Sequence, residues 1–141
     1  MREILFRGKR LDNGEWVQGF FNKWSVYDES ENNYHHYIQP LDENGRLDII
    51  HRVHPVTVGQ YTGLTDINGT KIFEGDIVIV TTTNIDEEDG YGIIDWHEDT
   101  ARYIVDLPNL LVDFDNLYSK EVEIIGNLYD NPELIGGADN G

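Results

Sequence analysis

The 141-residue sequence contains no cysteine and only ten lysines and arginines. Without cysteine the chain can form neither a disulfide nor a zinc–thiolate site, which fits a reducing compartment. Its longest apolar runs fall far short of the roughly 20 residues that a membrane-spanning helix needs. The segment MREILFRGKR also lacks the apolar centre of a signal peptide. We therefore expect a cytoplasmic protein that does not enter a membrane.

Motifs for nucleophilic catalysis and nucleotide binding are also missing. The sequence has no G-x-S-x-G segment, no glycine-rich phosphate-binding loop and no G-x-G-x-x-G pattern. We accordingly predict a protein that is not an enzyme, with no catalytic, cofactor-binding or metal-binding residues and no cofactor.

The histidines and the clustered carboxylates are the candidate metal ligands in this sequence. His51 and His54 are three residues apart, and His35 and His36 are adjacent, so each pair points to opposite faces of an extended strand. The acidic run at residues 86–89 lacks the alternating ligand spacing of a calcium loop. The pair Asp113-x-Asp115 stands alone. We interpret these side chains as structural or solvated.

Negative charge is concentrated in the second half of the chain. Residues 1–71 carry 8 basic and 10 acidic side chains, whereas residues 72–141 carry 2 basic and 17 acidic ones. Such a surface repels phosphate backbones and anionic lipids, so we expect no direct nucleic-acid binding and no membrane binding. The charge either serves solubility alone or imitates nucleic acid toward a basic partner.

Glycine-containing turns divide the chain into short β-strands. Asp12-Asn13-Gly14, Asn44-Gly45 and Asn68-Gly69 each separate strand-like runs and predict three hairpins. Asn68-Gly69 favours a type I′ turn, which the Asp66 side chain can support by accepting hydrogen bonds from nearby backbone amides. The β-branched run at residues 77–80 predicts a strand buried on both faces.

The remaining pattern predicts an all-β, mainly β fold in one domain spanning residues 1–141. A hairpin-rich module (1–59) is intertwined with an SH3-like β-barrel module (60–135), and residues 136–141 form a disordered tail. We predict strands at residues 47–58, 91–96, 102–107 and 122–129, and one or two short helical turns, one near Pro132. Residues 109–118 have a helical stripe and are predicted as a short helix, although a strand from Leu110 to Phe114 fits as well.

The first hairpin places apolar side chains on both of its faces. Trp16 and Phe20 share one face, and Val17 and Phe21 share the other. A ribbon that is apolar on both sides needs cover on both sides, so we expect a homo-oligomer.

Two long motifs carry a family resemblance. QYTGLTDINGTKIFEGDIV (residues 60–78) and EIIGNLYDNPEL (residues 123–134) closely resemble the YopX family of phage and prophage proteins, and MREILFR is similar to the way such proteins begin. The resemblance implies an intracellular, mainly β, homo-oligomeric protein of phage origin. It supplies no reaction and no site residues.

Three functions are compatible with these features. The leading hypothesis is a non-enzymatic, homo-oligomeric scaffold or binding module, with a host or phage protein as a further partner. The second is an acidic inhibitor or decoy that occupies a basic host surface. The third is a small metal-dependent hydrolase using the acidic loops.

Overall fold

The computed structural model describes residues 3–29, 33–81, 90–98, 102–107, 110–113 and 122–136. These residues are mostly β-strand with almost no helix, in two antiparallel sheets, which confirms the all-β prediction. The contacts divide the chain into two compact units, residues 1–61 and 62–141. The sequence predicts this boundary two residues earlier, between residues 59 and 60.

The strands of the N-terminal unit belong to a six-stranded antiparallel sheet. They are β1 (Phe6–Lys9), β2 (Trp16–Asp28), β3 (Asn33–Gln39), β4 (His51–Val53) and β5 (Gly59–Thr65). They lie in the order β4-β3-β2-β1-β5, and a 3-10 turn (Pro55–Thr57) precedes β5.

The N-terminal sheet curls so that its edge strand returns to the end of β1. Arg10 forms an antiparallel bridge with Val53 of β4. The His54 N–H donates to the Lys9 carbonyl (2.9 Å), and the Leu11 N–H donates to the Arg52 carbonyl (3.0 Å). Gly8 permits this approach, because a Cβ there would lie only 3.1 Å from the Val53 side chain.

The structure has turns at Gly14, Gly45 and Gly69, as predicted, but the turn at Asn68-Gly69 is not of the predicted type I′. The Gly69 N–H donates to the Asp66 carbonyl (3.0 Å), and the Asp66 N–H donates to the Thr70 carbonyl (2.8 Å). With Gly69 at φ 80°, this pattern is a three-residue loop ending in a glycine bulge. The type I′ prediction is therefore wrong, because it assigned the loop two residues rather than three.

The same three-residue loop recurs at residues 42–46. There the Gly45 N–H donates to the Asp42 carbonyl (3.0 Å), and the Asp42 N–H donates to the Arg46 carbonyl (2.7 Å). Gly45 has φ 79°. One local pattern, Asp-x-Asn-Gly, thus builds both loops.

The second unit contains a five-stranded antiparallel sheet. Its strands are β7 (Asp76–Val80), β8 (Gly90–His97), β9 (Arg102–Leu107), β10 (Leu110–Asp113) and β11 (Val122–Asn127). They lie in the order β10-β9-β8-β7-β11. A short strand, β6 (Lys71–Phe73), pairs with β5, and a single helical turn, α1 (Glu133–Gly136), follows β11. This turn confirms the one predicted near Pro132.

The core of the second unit forms on one face of this sheet. Val78 pairs with Ile124, and Val80 pairs with Val122, so these four side chains share a face. They pack with Ile72, Ile94 and Tyr103. Ile77, on the opposite face, is also fully buried, which confirms for Ile77 and Val78 the predicted burial on both faces.

The helix predicted at residues 109–118 is wrong where the structure describes it. Leu110–Asp113 form β10, which pairs with β9 from Leu110 opposite Leu107 to Asp113 opposite Ile104. Pairing with a neighbouring strand supplies the backbone hydrogen bonds that a helix would otherwise provide. Residues 114–118 lie outside the described residues.

Two other predictions are corrected by the structure. The strand expected over residues 47–58 is reduced to His51–Val53, because Pro55 opens a 3-10 turn instead of continuing the ladder. The SH3-like barrel is not confirmed, because neither sheet, as far as its described strands go, closes into a barrel.

The acidic run at residues 86–89 lies outside the described residues. So does the predicted tail at 136–141, except for Gly136, which is the last residue of α1. No helix in the described part of the chain is long and apolar enough to cross a bilayer.

Candidate functional site

A groove of about 420 Å³ lies in the N-terminal unit, beside the point where the sheet curls. We call it the Arg10 groove. It is lined by Arg10, Leu11, Asp12 and residues 49–52. Two arginines and a histidine therefore line this groove together with aliphatic residues.

The curl of the sheet brings the two halves of this groove together. Arg10 follows β1, and Arg52 lies within β4, 42 positions later. The Arg10–Val53 bridge and the bond from the Leu11 N–H to the Arg52 carbonyl hold these segments side by side. The sequence carries no signal for this site, because its arginines meet only through non-local pairing.

An ion pair fixes the orientation of the Arg10 side chain. Its Nε donates to Oδ1 of Asp12 (2.9 Å), and its Nη2 donates to Oδ2 (2.6 Å). This hydrogen bonding raises the pKa of Arg10 and lowers the pKa of Asp12. The pair is solvent-accessible, so it adds little to stability, but its two-point geometry sets the plane of the guanidinium.

A second feature of the N-terminal unit is a set of exposed apolar side chains, which we call the Phe20–Leu47 patch. It consists of Phe20, Leu41 and Leu47, which are 50%, 49% and 61% exposed. Phe20 pairs with Gln39, and Leu41 forms a bridge with Leu47. Leu41 lies two positions after Gln39, just beyond the end of β3.

The loop at residues 42–46 makes this patch possible. The Asp48 N–H donates to the Pro40 carbonyl (2.9 Å), so the chain remains paired on both sides of the loop. Leu41 and Leu47 flank this loop and meet across it. The predicted turn at Asn44-Gly45 was therefore a signal from which this pair could have been found.

The most conspicuous buried carboxylates are structural. Asp66 is 4% exposed, and its Oδ1 accepts hydrogen bonds from the N–H groups of Asn68 and Thr70 (2.9 Å each). Its Oδ2 accepts from the Ile124 N–H (3.0 Å). The two local bonds confirm the predicted support of the turn by Asp66. Asp76, also buried, accepts from the Phe73 N–H (2.8 Å) at the start of β7.

The four described histidine side chains do not converge. His36 stacks on Phe21, with ring centroids 5.7 Å apart, and Nδ1 of His35 lies 3.3 Å from the Tyr37 hydroxyl. His51 lines the Arg10 groove, whereas His54 precedes the 3-10 turn. Among the described residues no group of three or more histidines and carboxylates is placed to hold a metal ion.

Three basic side chains, those of Arg7, Lys9 and Arg10, lie close together in the sequence but in two different environments. The Arg7 guanidinium carbon lies 4.7 Å from the centre of the Trp16 ring, and the Lys9 ammonium lies 5.6 Å from it. These distances are typical of cation–π contacts. Arg10 turns instead toward Asp12.

These observations describe an all-β protein of two antiparallel sheets. A family model, that of the YopX protein, matches residues 5–136. The chain therefore belongs to the YopX family, as its two motifs indicated.

A solved structure supports this fold. The crystal structure of protein EF1440 from Enterococcus faecalis is similar over 96% of this chain and 99% of its own, with a TM-score of 0.51 and 20% sequence identity. At this identity the similarity concerns the fold alone. A search of curated proteins finds no match.

Proposed function

We propose that this YopX-family protein is a non-enzymatic scaffold or binding module of a phage or prophage. It acts in the host cytoplasm as a homo-oligomer, and its copies join through the Phe20–Leu47 patch. The observation that carries this proposal is the exposure of three large apolar side chains in the N-terminal unit, one on β2 and two that flank the loop at residues 42–46.

Charge supports the N-terminal unit as the place of contact. Residues 1–61 hold 7 basic and 9 acidic side chains, a net charge of −2, whereas residues 62–141 hold 3 basic and 18 acidic ones, a net charge of −15. Two copies meeting through their second units would bring like charges together. Contact through the first units avoids most of this repulsion.

The apolar residues exposed on the described part of the chain are distributed in the same way. Seven of the ten large ones lie in the N-terminal unit: Ile4, Leu11, Phe20, Leu41, Leu47, Ile49 and Val56. A two-fold interface would bury the patch of each copy, so each apolar side chain would contribute twice. Burial of such side chains is the main favourable term in protein association.

Sedimentation velocity with paired variants tests this proposal. The double variant Leu41→Ser/Leu47→Ser should sediment as a monomer at concentrations where the wild type is associated. The control, Ile4→Ser/Val56→Ser, removes two other exposed aliphatic side chains of the same unit and should sediment like the wild type. Equal association of the wild type and the patch variant would contradict the proposed interface.

A second candidate function rests on the acidic face of the second unit. Asp106 lies opposite Ile93, and Asp95 follows Ile93 by two positions on the same strand. Glu123 and Tyr91 both lie opposite Ile79, and Tyr91 precedes Ile93 by two positions. Asp95, Asp106 and Glu123 therefore share one face, and all three are exposed. Such a face suits an inhibitor or decoy that occupies a basic host protein in place of nucleic acid.

Salt dependence and charge-neutral variants test this second function. The wild type should retain a nucleic-acid-binding host protein at low salt and release it at high salt. The triple variant Asp95→Asn/Asp106→Asn/Glu123→Gln should retain much less of it. Retention that is unaffected by the three substitutions would exclude this face as the binding surface.

A further inference from the structure

Three Asn-Gly pairs lie in exposed loops of the described part of the chain, at residues 13–14, 44–45 and 68–69. A fourth pair, Asn140-Gly141, lies outside the described residues. The glycines of the three loops all adopt the left-handed backbone conformation, with φ of 72°, 79° and 80°. A Cβ on any of these three glycines would meet no atom within 4 Å. Exposure and local crowding therefore do not distinguish the three pairs.

An Asn-Gly pair undergoes deamidation without an enzyme, because glycine has no side chain to shield its backbone nitrogen. Hydroxide removes the proton of the glycine N–H, and the nitrogen attacks Cγ of the preceding asparagine. The N–Cγ bond forms, the Cγ–Nδ2 bond breaks, and Nδ2 leaves as ammonia with a proton from water. Water then opens the five-membered imide at either carbonyl. One product is aspartate, and the other is isoaspartate, in which the backbone runs through Cγ and is one atom longer.

The attacking nitrogen is already hydrogen-bonded in all three loops. In each loop the glycine N–H donates to a backbone carbonyl three or four residues earlier, at 2.9 Å for Gly14 and 3.0 Å for Gly45 and Gly69. Deamidation therefore needs the loop to open, and the free energy of a local opening depends on the bonds that break. The anchoring of each loop decides which asparagine reacts first.

The loops at residues 42–46 and 66–70 have the same local structure but different anchors. Among the described residues, every hydrogen bond of the loop at 42–46 joins two members of the loop itself. The loop at 66–70 is also bonded to β11. The Ile124 N–H donates to Asp66 (3.0 Å), and the Ile67 N–H donates to the Val122 carbonyl (2.9 Å). Opening the loop around Asn68 therefore breaks two bonds that have no counterpart around Asn44.

Asn13 is restrained in another way, through its own side chain. Its Oδ1 accepts a hydrogen bond from the Glu15 N–H (2.9 Å), so Cγ is held away from free rotation. Within the described part of the chain, the Asn44 side chain makes no hydrogen bond. Of the three asparagines, Asn44 thus has the fewest bonds to break before ring closure.

We propose that Asn44 is a site of spontaneous deamidation in the folded protein and that it reacts ahead of Asn13 and Asn68. The extra backbone atom of isoaspartate lengthens the loop across which Leu41 and Leu47 form their bridge, so it separates this pair. This consequence rests on the proposed function: where the Phe20–Leu47 patch joins two copies, isoaspartate at position 44 weakens their association.

Peptide mapping by mass spectrometry tests the site. The full chain is incubated at mildly alkaline pH, once folded and once unfolded in urea, and deamidation is followed separately at each asparagine. The ratio of the unfolded to the folded rate gives the protection of each site and removes the effect of neighbouring sequence. Protection at Asn68 should exceed protection at Asn44 at least about tenfold, because two further bonds must break. Protection at Asn13 should exceed it severalfold. Equal or greater protection at Asn44 would overturn the proposal.

Variants at position 44 separate the longer backbone from the added charge. Asn44→Asp carries the charge of the aspartate product on a backbone of normal length and should sediment like the fresh wild type. Asn44→Gln should keep its association during incubation, because glutamine closes the corresponding six-membered ring much more slowly. The wild type should lose association in step with isoaspartate at this position. Isoaspartate formation without that loss would overturn the consequence for the patch. A fresh wild type that is already monomeric would contradict the proposed function instead, and the order of protection would still decide the deamidation site.

Discussion

Oδ2 of Asp66 accepts a hydrogen bond from the backbone N–H of Ile124, 58 positions later in the chain, at 3.0 Å. The other carboxylate oxygen supports the β5–β6 loop through Asn68 and Thr70. One buried side chain thus joins a local turn to β11, at the opposite end of the second unit's sequence. Because of this double role, the fold of that unit should be sensitive to substitution at Asp66.

Asp66→Ala should lower the free energy of unfolding by about 2–4 kcal/mol, because it leaves three backbone donors without their charged acceptor. Asp42→Ala is the matched control, since Asp42 caps the same type of loop through Asn44 and Arg46. Its effect should be about 1 kcal/mol, because that loop is exposed. Urea denaturation measures both values. Equal losses would show that the bond to Ile124 contributes nothing.

Stability should fall with acid in a way that depends on Asp66. Burial raises the pKa of this carboxyl, but the N–H groups of Ile124, Thr70 and Asn68 outweigh burial and hold the pKa below its ordinary value of 3.8. A carboxyl with a lower pKa in the folded than in the unfolded state stabilises the fold above the unfolded-state pKa. That contribution is lost as the pH falls through the folded-state value.

Urea denaturation of the wild type and Asp66→Asn at several pH values checks this expectation. The wild type should be the more stable protein at pH 7, and the difference should narrow below about pH 4 as the wild-type carboxyl is protonated. Asp66→Asn has no titrating group at this position, so it should show less of the acid-dependent loss. A difference that stays constant down to pH 2 would contradict the assigned role of the ionised carboxylate.

Gly19→Ala should destabilise the N-terminal unit by about 3 kcal/mol or more, because backbone atoms have to move. Gly19 lies opposite Phe6 in the ladder, and a Cβ on it would be 2.2 Å from the Gln39 carbonyl oxygen. Gly14→Ala is the control. Gly14 has φ 72° and open space around it, so only the left-handed backbone opposes the change, at about 1 kcal/mol. Thermal unfolding compares the two variants, and a milder effect at Gly19 would contradict the close approach of β2 and β3.

The sequence was sufficient for the features that local chemistry determines. The glycines at 14, 45 and 69 marked the loops, and the run from Ile77 marked a buried strand. The bonds of Asp66 to Asn68 and Thr70 were also predictable, since acceptor and donors lie within four residues. Its bond to Ile124 was not, because nothing in either segment specifies the other.

Non-local pairing also explains why the helix predicted at residues 109–118 is wrong and why the sequence does not predict the Arg10 groove. Residues 110–113 have apolar spacing that suits a helix or a strand, and only the presence of β9 beside them decides the outcome. Arg10 and Arg52 likewise line the same groove only because Arg10 forms a bridge with Val53, the residue after Arg52. The Phe20–Leu47 patch was predictable in part, because its Leu41–Leu47 pair follows from a turn that the sequence predicts.

Light scattering across a micromolar concentration series gives the most direct test of self-association through the N-terminal unit. The wild type should have a mass of at least twice the 16.2 kDa of one chain, and the variant Leu41→Ser/Leu47→Ser should have a mass of 16.2 kDa. A wild-type mass of 16.2 kDa at every concentration would contradict the homo-oligomer and leave the Phe20–Leu47 patch without its proposed role.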